Sequence, residues 1–186
     1  MSIRPVRIYG DPVLRQKAKP VLAFDDSLRE LVADLFDTMK AYDGCGLAAP
    51  QVGVSQRVFV VGFAYEDGGE ERFAVINPEL SARKGKASRD EGCLSIPALY
   101  ASVERSTQLH LRAFDEHGRA YERDVEDPFL ARVLQHEFDH LEGVMFPDRI
   151  SPLKRQLMRR ELDALVRGEL PEGYHPGEHA EGRRDI

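Results

Sequence analysis

Apolar residues recur three and four positions apart at Leu28, Leu31, Leu35 and Met39, a spacing that predicts an amphipathic helix reaching Ala41 with one face in a core. Ser27 and Glu30 fit a capping box at its start, and Asp43-Gly44 ends it. Beyond it the period shortens. Residues 57–61 form a β-branched run that reads as a buried strand, and a second strand is expected over 73–77, across a polar hairpin loop at 66–71 containing Asp67-Gly68-Gly69. Three or four more short strands are expected, with candidates at 101–105, 109–114 and 121–125 and His117-Gly118 turning between the last two. Asp127-Pro128 supplies an N-cap and a first-turn proline for a helix over 129–142 that Gly143 stops, and Ser151 caps a last helix expected over 152–167. Residues 10–20, with Gly, Asp and two prolines, read as an irregular leader laid on the surface. Residues 171–186, polar and broken by Gly173, Pro176 and Gly177, read as a flexible tail behind a domain spanning 1–170.

Short strands flanked by helices, in 186 residues of which 42% are hydrophobic and 31% charged, fit a single domain with one sizeable core. The formal net charge of -6 removes any uniform basic field for nucleic acid, so no direct DNA partner is expected. No run approaches the roughly 18 apolar residues of a membrane-spanning helix, and residues 1–7 lack the apolar stretch of a signal peptide. No membrane partner is therefore expected, and the location reads as cytoplasmic. In that setting the two cysteines, Cys45 and Cys93, are expected to stay reduced for metal binding or chemistry rather than pair.

The strongest chemical signal is His136-Glu137-Phe138-Asp139-His140, an H-E-x-x-H pattern inside the second expected helix. Residues four apart on a helix lie about 40° apart around its axis, so both imidazoles can reach one metal ion. Glu137 is offset by about 100° and flanks the metal, which suits a carboxylate that takes a proton from an activated water. The pair does not name its third ligand. In Glu91-Gly92-Cys93-Leu94-Ser95, a loop expected ahead of the later strands, Cys93 is a candidate ligand, and a buried structural thiol is the competing reading. The stretch 44–51 (GCGLAAPQ) contains Gly-x-Gly-x-x-Ala, but it follows a helix and is closed by Pro50, so it is no dinucleotide fingerprint. Its glycines, Gly46 among them, let backbone approach a ligand closely, with the Gln51 amide a donor into the same site. His175 and His179 are also four apart, but Pro176 and Gly177 break any helix between them and they are not counted as ligands.

GCGLAAPQ at 44–51, EGCLS at 91–95 and QHEFDHLEG at 135–143 together resemble the three motifs of the peptide deformylase family, in order and in spacing, with similarity running from about residue 10 to residue 150. The resemblance implies an α+β fold whose short, mostly antiparallel sheets surround a central metal-bearing helix, with a helix at the C-terminal end. It implies a hydrolase that removes the formyl group from the N-terminal formyl-methionine of nascent polypeptides in protein biosynthesis, releasing formate. Cys93, His136 and His140 would hold the metal, Glu137 would act as general base and then acid, and Gln51 with the Leu94 N–H would stabilise the oxyanion. The family favours Fe²⁺, although two imidazoles and a thiolate also suit Zn²⁺, Ni²⁺ or Co²⁺. Val133 and Phe129, near the histidines on the helix surface, would line the methionine pocket beside Gly46 and Cys45, the latter replacing the usual aliphatic residue. Glu91 is expected to accept from a ligand histidine and Arg105 to anchor Glu91, with a solvent-exposed pair the alternative. Lys154, Arg155, Arg159, Arg160 and Arg167 give the last helix a basic excess, and by analogy with bacterial relatives it could meet the ribosome. The competing readings are an H-E-x-x-H metalloprotease and a non-catalytic binding module with a structural metal.

Overall fold

In a computed structural model that describes residues 2–172 and 174, the first helix, α1 (Asp26–Ala41), forms where the apolar spacing places it. Its cap is Asp25 rather than Ser27: the Asp25 carboxylate accepts from the Leu28 N–H at 3.1 Å. The stretch 44–51 is more regular than its glycines suggest, with a short strand β1 (Gly46–Ala48) followed by a 3-10 turn, Ala49–Val52. Strands β2 (Val58–Ala64) and β3 (Glu70–Lys84) form the expected hairpin. Strand β3 runs well past residue 77 because register shifts between Ile76 and Glu79 and between Ser81 and Lys84 absorb Pro78 and the positive φ of Asn77 and Ala82. Strand β4 (Ala87–Glu91) corrects the expectation of a plain loop before Cys93. Strands β5 (Ala101–Arg105), β6 (Gln108–Phe114) and β7 (Ala120–Val125) fall where alternation predicts them.

Two antiparallel sheets result, one of five strands in the order β1-β2-β3-β6-β7 and one of β4 with β5. Helix α2 (Pro128–Leu141) starts at an Asp127 cap whose carboxylate accepts from the Leu130 N–H at 2.6 Å. The five-stranded sheet is covered on both faces. Val58 and Val60 of β2 point into the cluster with Leu28, Leu31 and Leu35 of α1, whereas Phe59, Val61 and Phe63 point into the cluster with Leu130, Val133 and Leu134 of α2. This explains why residues 58–61 are apolar without alternation. A third cluster joins Cys93, Ile96 and Val103 to Phe146 and to Leu162 and Leu165.

The single last helix expected over 152–167 is two: α3 (Pro152–Leu157), capped by Ser151, and α4 (Arg159–Val166). The break falls at Met158, whose N–H is shared between the Lys154 and Arg155 carbonyls. Helix α3 buries no residue while α4 buries Leu162 and Leu165, so only the second half is held by the core. Among the described residues no helix is long and apolar enough to cross a membrane. Most of the expected tail, with His175 and His179, lies outside the described residues.

The expected surface leader, residues 10–20, and the residues on either side of it are in fact knitted into the fold. Leu14, Ala18 and Val21 are buried, and the Arg7, Tyr9 and Ala18 N–H groups donate to the carbonyls of Gln51, Ser95 and Leu141 at 2.7, 2.7 and 2.8 Å. Each acceptor belongs to a different one of the three motif stretches. Gly143 has a positive φ of 72°, and a Cβ there would meet the Arg15 carbonyl oxygen at 2.6 Å, so the strap also passes directly against the end of α2.

Candidate metal centre and active site

The mid-section of α2 is buried on nearly every side, from Leu130 to Glu137 without interruption. His136 and His140 lie one turn apart with ring centroids separated by 5.0 Å. Cys93, just after the end of β4, completes a group in which one ligand atom from each of the three residues lies within 4.8 Å of the others. All three are buried, and neither cysteine is in a disulfide. His140 Nε2 is 3.3 Å from Cys93 Sγ. His136 presents Nδ1 to Glu91 Oε2 at 3.1 Å, which leaves Nε2 as its free ligand atom, buried and without a hydrogen-bond partner. A thiol and two imidazoles with an orphaned buried nitrogen fit a divalent metal of the Zn²⁺ or Fe²⁺ type better than they fit one another.

Charge in the site follows from these contacts. Burial disfavours a charged His136, but its contacts with Cys93 and Glu91 outweigh burial and raise its pKa well above the ordinary value. Burial and the neighbouring charges of His136 and Arg105 push His140 the other way. Both Glu137 carboxylate oxygens are buried without a partner, and burial lifts the pKa of Glu137 to about 7. The carboxylate can sit there only because residue 46 is glycine: a Cβ at Gly46 would lie 2.5 Å from Glu137 Oε1.

Gln51 enters from the 3-10 turn after β1. Its Oε1 accepts from the Ala48 N–H at 2.8 Å, and its Nε2 lies 3.6 Å from Cys93 Sγ and 3.3 Å from Ser95 Oγ. Leu94 is buried, with its side chain against Gly44. Val133 and Cys45 share the buried cluster with Phe63, while Phe129 is 38% exposed and meets Phe63 edge-on with ring centroids at 4.8 Å. Phe129 is thus too exposed to be an ordinary core residue.

The Glu91–Arg105 pair is wholly buried, at 0% and 5% side-chain exposure, so the solvent-exposed alternative is rejected. Arg105 donates to both Glu91 oxygens at 2.9 Å. Burial alone would raise the Glu91 pKa, but the bonds from His136 and Arg105 hold it well below the usual carboxylate range. Several partners had no sequence signal of their own. Arg132, one turn before His136, donates to Glu91 Oε1 at 2.6 Å and to the Val103 and Ala87 carbonyls. Asp139 accepts from Arg105 at 2.5 Å and from Arg149 at 2.5 and 3.0 Å. Asp139 and Arg132 sit inside or beside the H-E-x-x-H pattern, and only the position of the β4–β5 hairpin reveals what they hold.

With the geometry established, comparison with known proteins is direct. A family model described as polypeptide deformylase matches residues 3–156. The peptide deformylase of Alkalilimnicola ehrlichii is 47% identical over 167 residues, covering 90% of this chain and 93% of the relative. That of Thermotoga maritima is 46% identical over 163 residues, covering 87% and 96%. The crystal structure of the Thermus thermophilus enzyme superposes with a TM-score of 0.83 at 40% identity, covering 90% of this chain and 99% of that one. The Legionella pneumophila peptide deformylase gives 0.80 at 42%, covering 90% and 98%.

Proposed function

The chain belongs to the polypeptide deformylase family, and on that premise we propose how its own residues remove the formyl group from the N-terminal formyl-methionine of a nascent peptide, with release of formate. The observation that carries the reading is the buried Glu137 carboxylate, unpartnered, set among Cys93, His136 and His140 and against the bare backbone of Gly46. Cys93, His136 and His140 would hold the metal, which when bound would supply Lewis acidity to the reaction. Glu137 takes the proton of the attacking water and delivers it to the departing methionine nitrogen. The Gln51 Nε2–H and the Leu94 N–H donate to the formyl oxygen as negative charge builds there. Glu91, held by Arg105, fixes the His136 ring through Nδ1. Val133, Cys45 and Phe129 form the apolar receptor for the methionine side chain beside Gly46.

Iron(II) is the metal we assign to the protein in the cell, with Zn²⁺, Ni²⁺ or Co²⁺ acceptable to the same ligands. The thiolate makes an iron form oxygen-sensitive. The test is formate release from a short formyl-Met peptide by protein made anaerobically with Fe²⁺, beside Glu137→Gln. Release by the parent and its loss in a variant that keeps its metal is the expected result. No release by a metal-loaded parent would leave a structural metal centre, and cleavage of internal peptide bonds without formate would mean a protease.

Helices α3 and α4 carry the proposed ribosome contact. Arg155 already pairs with Asp148 and Arg159 with Asp163, so the charge offered outward rests mainly on Lys154 and Arg160, beside exposed Leu153 and Leu157. Reversal of Lys154 and Arg160 to Glu should weaken salt-sensitive co-sedimentation with ribosomes, and unaltered binding would refute the contact.

A further inference from the structure

We propose that Ser95 is a positioning residue for this reaction: its buried hydroxyl holds the Gln51 side-chain amide in the orientation that turns an N–H toward Cys93 and the reacting carbonyl. The proposal rests on the oxyanion role given to Gln51 above. The amide has two ends, and the protein grips both. A backbone N–H can only donate, so the end that meets the Ala48 N–H at 2.8 Å is the oxygen, and the nitrogen must face the other way. There Nε2 finds Ser95 Oγ at 3.3 Å and Cys93 Sγ at 3.6 Å. One of its two N–H groups is taken by the serine oxygen, which directs the second toward the sulfur side of the site.

Without the Ser95 hydroxyl that first N–H would have no acceptor, in a residue only 1% exposed. The last side-chain torsion of glutamine is broad, so the amide would turn to recover a partner and carry its second N–H off the carbonyl.

Ser95 can be tuned in this way without bearing the fold. The two loops are held apart by backbone: the Arg7 N–H donates to the Gln51 carbonyl and the Tyr9 N–H to the Ser95 carbonyl, each at 2.7 Å, from the same short strap. The Ile96 N–H closes the turn onto the Cys93 carbonyl at 2.8 Å. Loss of the hydroxyl removes none of these bonds.

The experiment is a double-mutant cycle on metal-loaded enzyme, with kcat and KM for a formyl-Met peptide measured in the parent, Ser95→Ala, Gln51→Ala and the pair, alongside metal content and thermal midpoint. Ser95→Ala should lower kcat about five- to tenfold, the size of one neutral hydrogen bond, with KM and metal content at parental values. In the Gln51→Ala background the same substitution should change kcat by less than about twofold, since the group it positions is gone. An equal loss of kcat in both backgrounds, a loss of metal, or a rise confined to KM would overturn the proposal, as would parental kcat in Ser95→Ala while Gln51→Ala is slow. Parental kcat in Gln51→Ala would instead overturn the oxyanion role of Gln51, and the Ser95 proposal with it.

Discussion

At Gly46 the lack of a side chain decides where the proton-transfer group can sit. A Cβ there would fall 2.5 Å from Glu137 Oε1 and 2.8 Å from its Cγ, so Gly46→Ala must push the carboxylate aside or tilt β1. A shift of about 1 Å in a reacting group costs on the order of 100-fold in rate. Gly46→Ala should therefore fall by about that factor in kcat while still binding metal through Cys93, His136 and His140, which steady-state kinetics and metal analysis will check together. That His136 and His140 share one side of a helix with Glu137 between them was legible from local spacing, whereas Cys93 and Gln51 were drawn to the same site by their motifs and the family resemblance, and the structure brings Cys93 together with the two histidines. Ser95, Arg132 and Asp139 were not legible in this way, because their partners Gln51, Glu91 and Arg105 lie far along the chain. Arg132 and Glu91 are 41 positions apart, and no periodicity encodes that distance.

Between elements, Glu91 is the joint that fastens the β4–β5 hairpin to α2. Its two oxygens accept from Arg105, Arg132 and His136 in a fully buried setting, and Asp139 ties Arg105 on to Arg149. Removing one partner from a buried ionic cluster costs far more than the cluster contributes net, because the remaining charges keep their desolvation. Glu91→Ala leaves Arg132 with carbonyl acceptors alone and an Nε that already has no partner. The expected loss is about 3–5 kcal/mol in urea denaturation. Glu91→Gln removes the charge but keeps one acceptor oxygen, so a loss equal to that of Glu91→Ala would assign the joint to charge, and a clearly smaller loss would assign it to hydrogen bonding alone. This joint also explains which elements the sequence concealed. Strand β4 reads Ala-Ser-Arg-Asp-Glu, with no apolar alternation, and is held as a strand by its pairing to β5 and by Arg132 on the Ala87 carbonyl. Strands β2, β6 and β7 carry their own pattern of burial and were visible for that reason.

Across the whole molecule, the strap from Ser2 to Lys19 crosses the ends of all three motif stretches, and it is pinned largely by carboxylates. Asp34 of α1 accepts from the Ser2 N–H at 2.7 Å and Arg4 Nε at 2.9 Å. Asp148 pairs with Arg15, and Glu142 pairs with Lys17 at 2.7 Å and with Arg57 at 2.6 Å. Burial works against the ionised forms of Asp34 and Glu142, but these partners outweigh it, and both pKa values are lowered from the ordinary 3.8 and 4.5. A carboxylate with a depressed folded-state pKa stabilises the native state fully above its unfolded pKa, and the contribution disappears as pH falls through the folded value. Stability from these two groups should thus be level near neutrality and decline once pH drops below about 4.5, where the unfolded chain begins to take up protons that the native chain resists. Asp34→Asn and Glu142→Gln should each be less stable than the parent at pH 7, and the deficit should shrink as pH falls below that point. Metal release in acid affects parent and variants alike, so the difference between them at each pH isolates the strap. Urea denaturation at pH 7 and at successive steps below 4.5 measures it directly, and a deficit constant across that range would show that the strap is held by packing of Leu14, Ala18 and Val21 rather than by its ion pairs.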